Sequence, residues 1–353
     1  MSKEIEQNML RERAKKAANV TDEMWQMIKP RHRELVEEYL DVNTHLSPRT
    51  KKQYTSGLRH FFWWVHEILN DKPLEKISKR DFMRYMSFMQ NRGLSSSGMA
   101  FKKSAVSAFN IYIEDIVADD LPDTSGGFRN FTRGLQLIPK NQVYSKEAVT
   151  YDEYQLLMST LKDDENYLGM AWVATAFNTG ARRSEIIQFK TEMLDYSIPK
   201  GLNYVMSHTV MGKGRAGGKP IEFMVNEEAL KYMRLWVEKR GYDHEYIFTT
   251  SYNGGSQMSD AWANIFCSDV LSDIIGRRIN PHIFKASAVT YLLEQGVPMS
   301  LVSKHIAHHE SVETTSGFYD LRDFEDEKNQ IFSHLVRDDD ETDDEVDETD
   351  NEG

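Results

Sequence analysis

The sequence predicts a mainly α-helical protein with a small antiparallel sheet, in which a helical domain is followed by a mixed α+β domain. Two observations carry this prediction. Apolar residues recur at helical spacing through the first third of the chain. Further on, "NYVMSHTVMGKGRAGGKPIEFMVN" is typical of two short strands around a glycine-rich loop. The length of 353 residues is sufficient for two domains.

The first domain is expected at residues 30–119 and consists of four helices. In "LRHFFWWVHEIL", one apolar stripe at steps of three and four contains Leu58, Phe61, Phe62, Val65, Ile68 and Leu69. Ser47 followed by Pro48 predicts a helix start, because serine caps helices and proline is accepted at the first helical position. Ser78 is the predicted cap of the next helix, and Ser96 or Ser97 that of the last.

The mixed domain is expected at residues 147–336. Thr150 and Glu153 have the spacing of a capping box at the start of its first helix. A buried helix with a Thr-Gly break is predicted in "ENYLGMAWVATAFNTGARRSEIIQF", and further helices in "EEALKYMRLWVEKRG", "PHIFKASAVTYLLEQG" and "SLVSKHIAHH". Residues 120–146 contain two prolines and three glycines, which predicts a linker. The remaining expected segments are a polar helical one at 1–29 and an acidic tail at 337–353.

Composition indicates an intracellular protein that acts in the cytoplasm. The single cysteine, Cys267, cannot form a disulfide within the chain, which fits a reducing compartment. The N-terminus has no apolar core of signal-peptide length, and no apolar run is long enough to span a membrane. We therefore expect no membrane association.

The formal net charge of -12 comes almost entirely from the C-terminal end. Residues 338–353 contain seven Asp and four Glu but no Lys or Arg, so the rest of the chain carries a net charge of -1. A block of like charges repels itself and is expected to be disordered. It is interpreted either as a solubility tail or as a mimic of nucleic-acid phosphate.

Several polar residues are candidates for chemistry, and each also has a structural explanation. Arg182 follows a helix break and is either a cleft residue or a surface cation. Lys213 lies in "GKGRAGGK", which is either a functional loop or a hairpin tip; it lacks the P-loop spacing. His282 is either a site residue or a capping partner. His305 and His309 have the i, i+4 spacing that suits zinc, but no third ligand is evident, so no metal is predicted.

The order of these motifs resembles the tyrosine recombinases, the family that includes the phage integrases. "NTGARRSEI" resembles the box around the family's first arginine, and "GKG" resembles its hairpin lysine. "PHIFKASAVTYLLEQG" resembles the His-x-x-Arg box, and "AHHESVETTSGFYD" the segment that runs from a histidine to the nucleophilic tyrosine. "LSPRTKKQYTSGLRHFFWWV" and "RGLSSSGMAFKKSAVSAFNIYI" resemble the helical core-binding domain.

This resemblance implies a helical core-binding domain joined to a tyrosine-recombinase catalytic domain, together clamping double-stranded DNA. It implies self-association on DNA, strand cleavage through a 3′-phosphotyrosyl link, and no metal or nucleotide cofactor. The implied catalytic residues are Arg182, Lys213 (or the less favoured Lys219), His282, Lys285, His309 (or His308) and Tyr319. The candidate DNA contacts are Arg49, Lys51, Lys52, Arg59, Lys102 and Lys103.

Three departures from the family pattern leave two functions open. Lys285 stands where the family has arginine, whose rigid fork binds two phosphate oxygens. Tyr319 follows His309 by ten residues instead of nine, so Phe318 lies at the expected position. Ala286 replaces a common histidine. One hypothesis is an integrase-type enzyme of a mobile element; the alternative is a DNA-binding regulator, such as a phage repressor, with weakened or lost catalysis.

Overall fold

The structure is a computed structural model that describes residues 19–121, 128–135, 147–214, 218–251 and 255–322. The described residues form two compact units. The first is made of 19–135 together with 213–214 and 218–219, and the second of 147–212 and 220–322. The acidic tail, most of the predicted linker and the first part of the N-terminal segment lie outside the described residues. Within the described ranges, no helix combines the length and the apolar character that a membrane span requires.

The first unit is helical, and the four helices predicted for residues 30–119 are confirmed. A short helix, α1, precedes them, and 3₁₀ and π-helical turns follow α3 and α5. The helices are α1 (Asp22–Met27), α2 (Pro30–Val42), α3 (Pro48–Leu69), α4 (Lys79–Asn91) and α5 (Ser96–Tyr112). No strand occurs among the residues described in 19–135.

The helix starts of this unit are set by serine side chains. The Ser47 hydroxyl accepts from the backbone N–H of Thr50 at 3.1 Å, and Ser78 forms a capping box with Asp81, so both predicted caps are confirmed. The prediction of Ser96 or Ser97 for α5 is wrong. Ser95 is the cap, because its hydroxyl lies 3.1 Å from the Gly98 backbone nitrogen, and the two serines that follow are already helical.

The core of the first unit is a cluster of aromatic rings in which α3, α4 and α5 pack together. The Phe61 ring lies 5.1 Å from the rings of Phe62 and Tyr85 and 5.8 Å from that of Phe131. Phe128 and Phe131 fall in the stretch predicted as a linker, yet both are buried in this core. This part of the stretch therefore packs as a piece of the helical unit.

The second unit combines helices with short strands. Its helices are α6 (Tyr151–Asp163), α7 (Tyr167–Thr179), α8 (Arg183–Ile186), α9 (Glu227–Lys239), α10 (Asp260–Ile265), α11 (Ser272–Ile275), α12 (Pro281–Glu294), α13 (Met299–Val302) and α14 (Val312–Phe318). Its strands are β1 (Tyr204–Met206), β2 (Val210–Gly212), β3 (Lys219–Ile221), β4 (Met224–Asn226), β5 (Thr249–Thr250) and β6 (Ser256–Gln257). Residues Phe266–Leu271 and Ser303–Ala307 are π-helical.

Helix α7 is the centre of this unit and packs against α6, α9 and α12. It is buried on all sides, and its Trp172 ring meets the Phe284 ring of α12 edge-on at 5.3 Å. The predicted capping box of Thr150 and Glu153 is confirmed at the start of α6. Gly180 ends α7 with a left-handed φ of 63°, which is the predicted helix break.

The strand prediction for residues 203–226 is wrong in number, because the stretch contains four strands instead of two. Strand β1 pairs antiparallel with β4, opposing Val205 and Val225, and β2 pairs with β3 nearer the loop. Between the pairs, the backbone N–H of Phe223 donates to the Ser207 hydroxyl at 2.9 Å. A side-chain oxygen thus takes the place of a backbone acceptor, which interrupts the regular ladder.

Candidate active site

Helix α12 brings His282 and Lys285 to one end of the second unit. The Asn280 side chain caps the helix by accepting from the His282 backbone N–H at 3.1 Å, and Pro281 occupies the first helical position. The His282 ring is therefore not the cap. His282 is exposed at this first turn, whereas Lys285 one turn later is fully buried.

Tyr319 lies against His282. The tyrosine Oη is 3.2 Å from His282 Nε2, and the centroid of the tyrosine ring is 4.7 Å from that of His309. Thr290 of α12 donates to the Tyr319 carbonyl at 3.1 Å and accepts from the Leu321 N–H at 3.0 Å. The backbone at Tyr319 and immediately after it is therefore attached to the helix that carries His282.

The ten-residue spacing between His309 and Tyr319 does not remove the tyrosine from this site. Helix α14 ends at Phe318, and Tyr319 leaves helical geometry with φ -127° and ψ -18°. As a result, Tyr319 turns inward and is 8% exposed, whereas the Phe318 side chain, at the spacing usual for the family, is 57% exposed. The backbone at the end of α14 accommodates the extra residue.

The two adjacent histidines have different surroundings. His309 Nδ1 lies 2.9 Å from the Thr315 hydroxyl, which itself donates to Ser303 Oγ at 2.8 Å. Because the single hydroxyl proton of Thr315 is engaged with Ser303, the Nδ1–H of His309 is the donor to the Thr315 oxygen. His308 adopts a left-handed φ of 54°, and its ring packs edge-on against Phe223 at 4.8 Å. The geometry brings His309, and not His308, to Tyr319.

Arg182 is held by a buried carboxylate. It follows the left-handed Gly180 and caps α8, where Glu185 accepts from its backbone N–H at 2.6 Å and from its Nη1 at 2.9 Å. Glu185 is fully buried, and the Arg182 side chain is 23% exposed. A bidentate partner of this kind fixes the orientation of the guanidinium while leaving other N–H groups of its fork for a ligand.

Lys285 is enclosed beside Arg182. Its Nζ donates to the carbonyl of Gly180 at 3.0 Å and to that of Ile306 at 3.4 Å. Burial, followed by the positive charge of Arg182, lowers the pKa of Lys285 to about 7, and the nearby Glu185 opposes this shift. The lysine thus connects the loop that carries Arg182 to the π-helical turn that precedes His308. No part of the Lys285 side chain is exposed to solvent.

The strands position the lysine hairpin next to α8. Gln188 exchanges two hydrogen bonds with the backbone of Met211 in β2, at 2.9 and 3.0 Å. A Cβ atom on Gly212 would lie 3.1 Å from the Glu185 carboxylate, so the strand approaches α8 closely. Lys213 follows directly and is exposed, as is Lys219 at the start of β3.

The candidate DNA contacts of the helical unit differ in accessibility. Arg49 and Lys52 are exposed at the start of α3. Lys51 pairs with Asp41 at 3.1 Å, and Arg59 pairs with Asp22 at 2.6 Å. Two candidates on α5 are half-buried: Lys103 donates to the Leu135 carbonyl at 2.8 Å, and Lys102 lines a cavity.

Sequence reasoning missed the residues that hold the site together. Glu185 stands three residues after Arg182, which is the capping-box spacing, so its position could have been anticipated. Thr290 and Thr315 gave no such signal, because their hydroxyls act through partners that are distant in sequence. In the described ranges, no three His, Cys, Asp or Glu side chains come together in a way that could hold a metal ion.

Family models match both units. A model described as the phage integrase family matches residues 147–325, just over half of the chain, and one described as the phage integrase N-terminal SAM-like domain matches residues 35–114. The chain belongs to the phage integrase family. The resemblance to tyrosine recombinases, based on motifs between Arg182 and Tyr319, is thereby confirmed.

Curated relatives extend this assignment along the chain. The SPbeta prophage-derived recombinase-like protein YomM of Bacillus subtilis (strain 168) is 63% identical over 334 residues, covering 94% of this chain and 100% of the relative. The tyrosine recombinase XerD of Chlorobaculum tepidum is 24% identical over an alignment that covers 85% of this chain and 90% of the relative. A relationship to proteins of mobile elements is therefore established.

Solved structures confirm the fold. The Tn1549 transposon integrase in complex with transposon right end DNA matches with a TM-score of 0.64 at 16% identity, covering 86% of this chain and 98% of the other. A lambda integrase dimer bound to a COC′ core site matches with a TM-score of 0.58 at 15% identity, covering 81% and 76%. These integrases share the predicted fold class, which is mainly helical with small antiparallel sheets and consists of a helical unit and a mixed α+β unit.

Proposed function

We propose that this protein is a site-specific DNA recombinase whose nucleophile is Tyr319. The observation that carries the proposal is the 3.2 Å approach of the tyrosine Oη to His282 Nε2, which occurs although the tyrosine is displaced by one residue. A free tyrosine has a pKa of about 10, so an attacking phenol needs a neighbouring acceptor for its proton. His282 is within hydrogen-bond distance and is suited to that role.

The proposed reaction is a transesterification in which Tyr319 Oη attacks a DNA phosphorus atom. The new bond is a 3′-phosphotyrosyl ester, the phenolic proton passes to His282, and the bond to the 5′ oxygen breaks. Lys213, exposed on the hairpin, protonates that oxygen and releases a 5′-hydroxyl. A 5′-hydroxyl of another strand then attacks the ester and gives its proton to Lys213, while the phenolate leaves and takes its proton back from His282. The chemistry therefore requires no metal or nucleotide.

Arg182 and the imidazolium form of His309, which donates from Nε2, are proposed to stabilise the phosphate during this reaction. Negative charge develops on the two non-bridging oxygens of a pentacoordinate phosphorus, where fixed donors contribute strongly. Glu185 holds Arg182 in place, and such preorganisation is what makes a donor effective. The hydroxyl chain from Thr315 to Ser303 orients His309 in the same manner.

DNA binding is proposed to involve both units. The solved integrases that share this fold are described in complex with transposon DNA and with a core site, and Arg49 and Lys52 are exposed cations on the helical unit. Because strand exchange joins two duplexes, we also propose self-association on DNA. The protein would work where the DNA of its host element lies, in the cytoplasm.

A second function, DNA binding without efficient cleavage, is favoured by one specific observation. Lys285 stands at the position of the family's second arginine but is fully buried and bound to two carbonyls. A phosphate would therefore lose a bidentate donor, and removal of a single such donor costs about 3–4 kcal/mol of transition-state stabilisation in other enzymes. A regulator derived from a recombinase would tolerate this loss.

The test is the covalent adduct between protein and DNA. A target is first selected from random duplexes by binding to the full chain and is then nicked near the centre, so that cleavage traps the phosphotyrosyl link. We expect a denaturant-resistant adduct with the wild type and with Phe318→Leu, a substitution at the exposed neighbour. Tyr319→Phe should bind equally well and form no adduct. Strong binding by the wild type without any adduct would establish the regulator instead.

A further inference from the structure

The helical unit contains a cavity that the proposed recombination chemistry does not use. It has a volume of about 330 Å³ and lies between α3, α4 and the first turns of α5. Trp64, Tyr85 and Met89, each no more than 3% exposed, contribute to its deep part. Trp63 and Phe88 complete an aromatic lining. Cavities of this size with aromatic walls are typical of small-molecule sites.

Three bases from three different places line the same cavity. His60 comes from α3, Arg92 follows the last residue of α4, and Lys102 comes from α5. Burial, together with the charges of Lys102 and Arg92, lowers the pKa of His60 to about 4, and burial and Arg92 lower the pKa of Lys102 to about 8. These mutual effects indicate that the three groups lie close enough to repel one another.

No carboxylate of the described residues neutralises the two cations among these bases, Arg92 and Lys102. Glu67 also lines the cavity, but neither Arg92 nor Lys102 forms an ion pair with a carboxylate of the described residues. The Arg92 guanidinium lies instead over the Phe88 ring at 5.3 Å. Like charges that converge on a partly enclosed space without counter-charges favour an anion in that space.

Tyr85 provides a second, independent observation. Its side chain is 1% exposed, it lines the cavity, and its hydroxyl has no hydrogen-bond partner among the described residues. A buried hydroxyl without a partner is unfavourable, so such groups call for an explanation, and a ligand that supplies the missing partner is one.

We propose that this cavity binds a small organic anion that carries an aromatic ring, such as an aryl phosphate. The ring would pack among Trp63, Trp64 and Phe88, and the anionic group would lie against Arg92 and Lys102. The Tyr85 hydroxyl would donate to an oxygen of the ligand. A phosphate of duplex DNA can contact cations at the rim, but the backbone of a duplex cannot enter a recess of this size to reach Tyr85. A free small molecule can.

The probe is phenyl phosphate, titrated into the full chain and followed by tryptophan fluorescence and by the unfolding temperature. Inorganic phosphate and phenol at matched ionic strength are the comparison ligands. We expect saturable binding of phenyl phosphate at least about tenfold tighter than that of either comparison ligand. Arg92→Met and Lys102→Met should each weaken this binding about tenfold or more. Arg84→Met, at an exposed base of α4 outside this cavity, should leave it unchanged.

Tyr85→Phe separates a binding role from a packing role. Because it removes a buried hydroxyl that has no partner, the unliganded variant should unfold at an equal or higher temperature than the wild type. Its affinity for phenyl phosphate should nevertheless fall about threefold or more. A lower unfolding temperature with unchanged affinity would overturn the assignment of Tyr85.

Two other results would overturn the proposal as a whole. One is that phenyl phosphate produces no more effect than inorganic phosphate, or the same effect on the Arg92 and Arg84 variants. The other is that Arg92→Met and Lys102→Met lose affinity for DNA while phenyl phosphate gives no saturable signal. The cations would then belong to a DNA surface.

Discussion

Replacing Lys285 by methionine tests the most unusual feature of the candidate site. Methionine has a similar length but carries no charge, so Lys285→Met removes the ammonium group while filling most of the same volume. It also removes the hydrogen bonds to the carbonyls of Gly180 and Ile306. The informative quantity is the difference in unfolding free energy between wild type and variant as a function of pH.

The sign and size of this difference follow from the pKa. Lysine in an unfolded chain has a pKa of about 10.4, whereas burial lowers that of Lys285 to about 7. Between these values the unfolded chain binds more protons than the folded one, so the stability of the wild type rises with pH. Integrated from about pH 6 to about pH 9, the gain relative to Lys285→Met is about 2–3 kcal/mol. Below pH 7 the difference levels off, because both states of the wild type are then protonated.

The assay is urea unfolding of both proteins at several pH values across this range. Lys304→Met is the matched control, because Lys304 is an exposed lysine of the adjoining turn and should show no such trend. A stability difference that stays flat from about pH 6 to about pH 9 would refute the reasoning. It would mean that the ammonium group reaches water, as a side chain that binds phosphate must.

Three further predictions concern the backbone, the tail and the DNA surface. Gly180→Ala should lower the unfolding free energy by about 1–2 kcal/mol for the left-handed backbone, and further because the new Cβ would lie 3.0 Å from a neighbouring side chain. Urea unfolding should therefore show a larger loss than for Gly241→Ala, where φ is similar but the space around the glycine is open. Deleting residues 338–353 removes eleven negative charges and should raise DNA affinity mainly at low salt, because a tethered anion competes with DNA and is screened by the same ions. Equal affinities of the full chain and the deletion variant at low salt would mean that these residues are a solubility tail. Replacing Arg49 and Lys52 by glutamine should reduce the slope of log affinity against log salt by about two, and an unchanged slope would remove both from the DNA contacts.

Local rules predicted the parts of this fold that depend on neighbouring residues. The caps at Ser47, Ser78 and Thr150 and the break at Gly180 were correct, because each is decided within four residues of sequence. Ser95 was missed because adjacent serines are equivalent as caps until the helix axis is known. The strands between 203 and 226 were miscounted because a single serine hydroxyl interrupts the ladder.

Motif order anticipated which side chains lie close together but not how deeply each of them is buried. Motif order named Arg182, His282, His309 and Tyr319, and the geometry brings three of them into contact. The enclosure of Lys285 could not be predicted, because lysine is almost always exposed. It arises from the packing of α12 against α7 and against the π-helical turn that contains Ile306. Likewise, no periodicity indicates that the chain turns at the end of α14, which decides between Phe318 and Tyr319.

The attachment of Tyr319 to α12 through Thr290 has a consequence for which subunit would supply each group of the proposed reaction. One hydroxyl holds the Tyr319 carbonyl and the Leu321 N–H to the helix whose first turn presents His282. In the proposed reaction, the phenol and its proton acceptor therefore come from the same copy of the chain. We expect each copy to use its own tyrosine and its own histidine for cleavage.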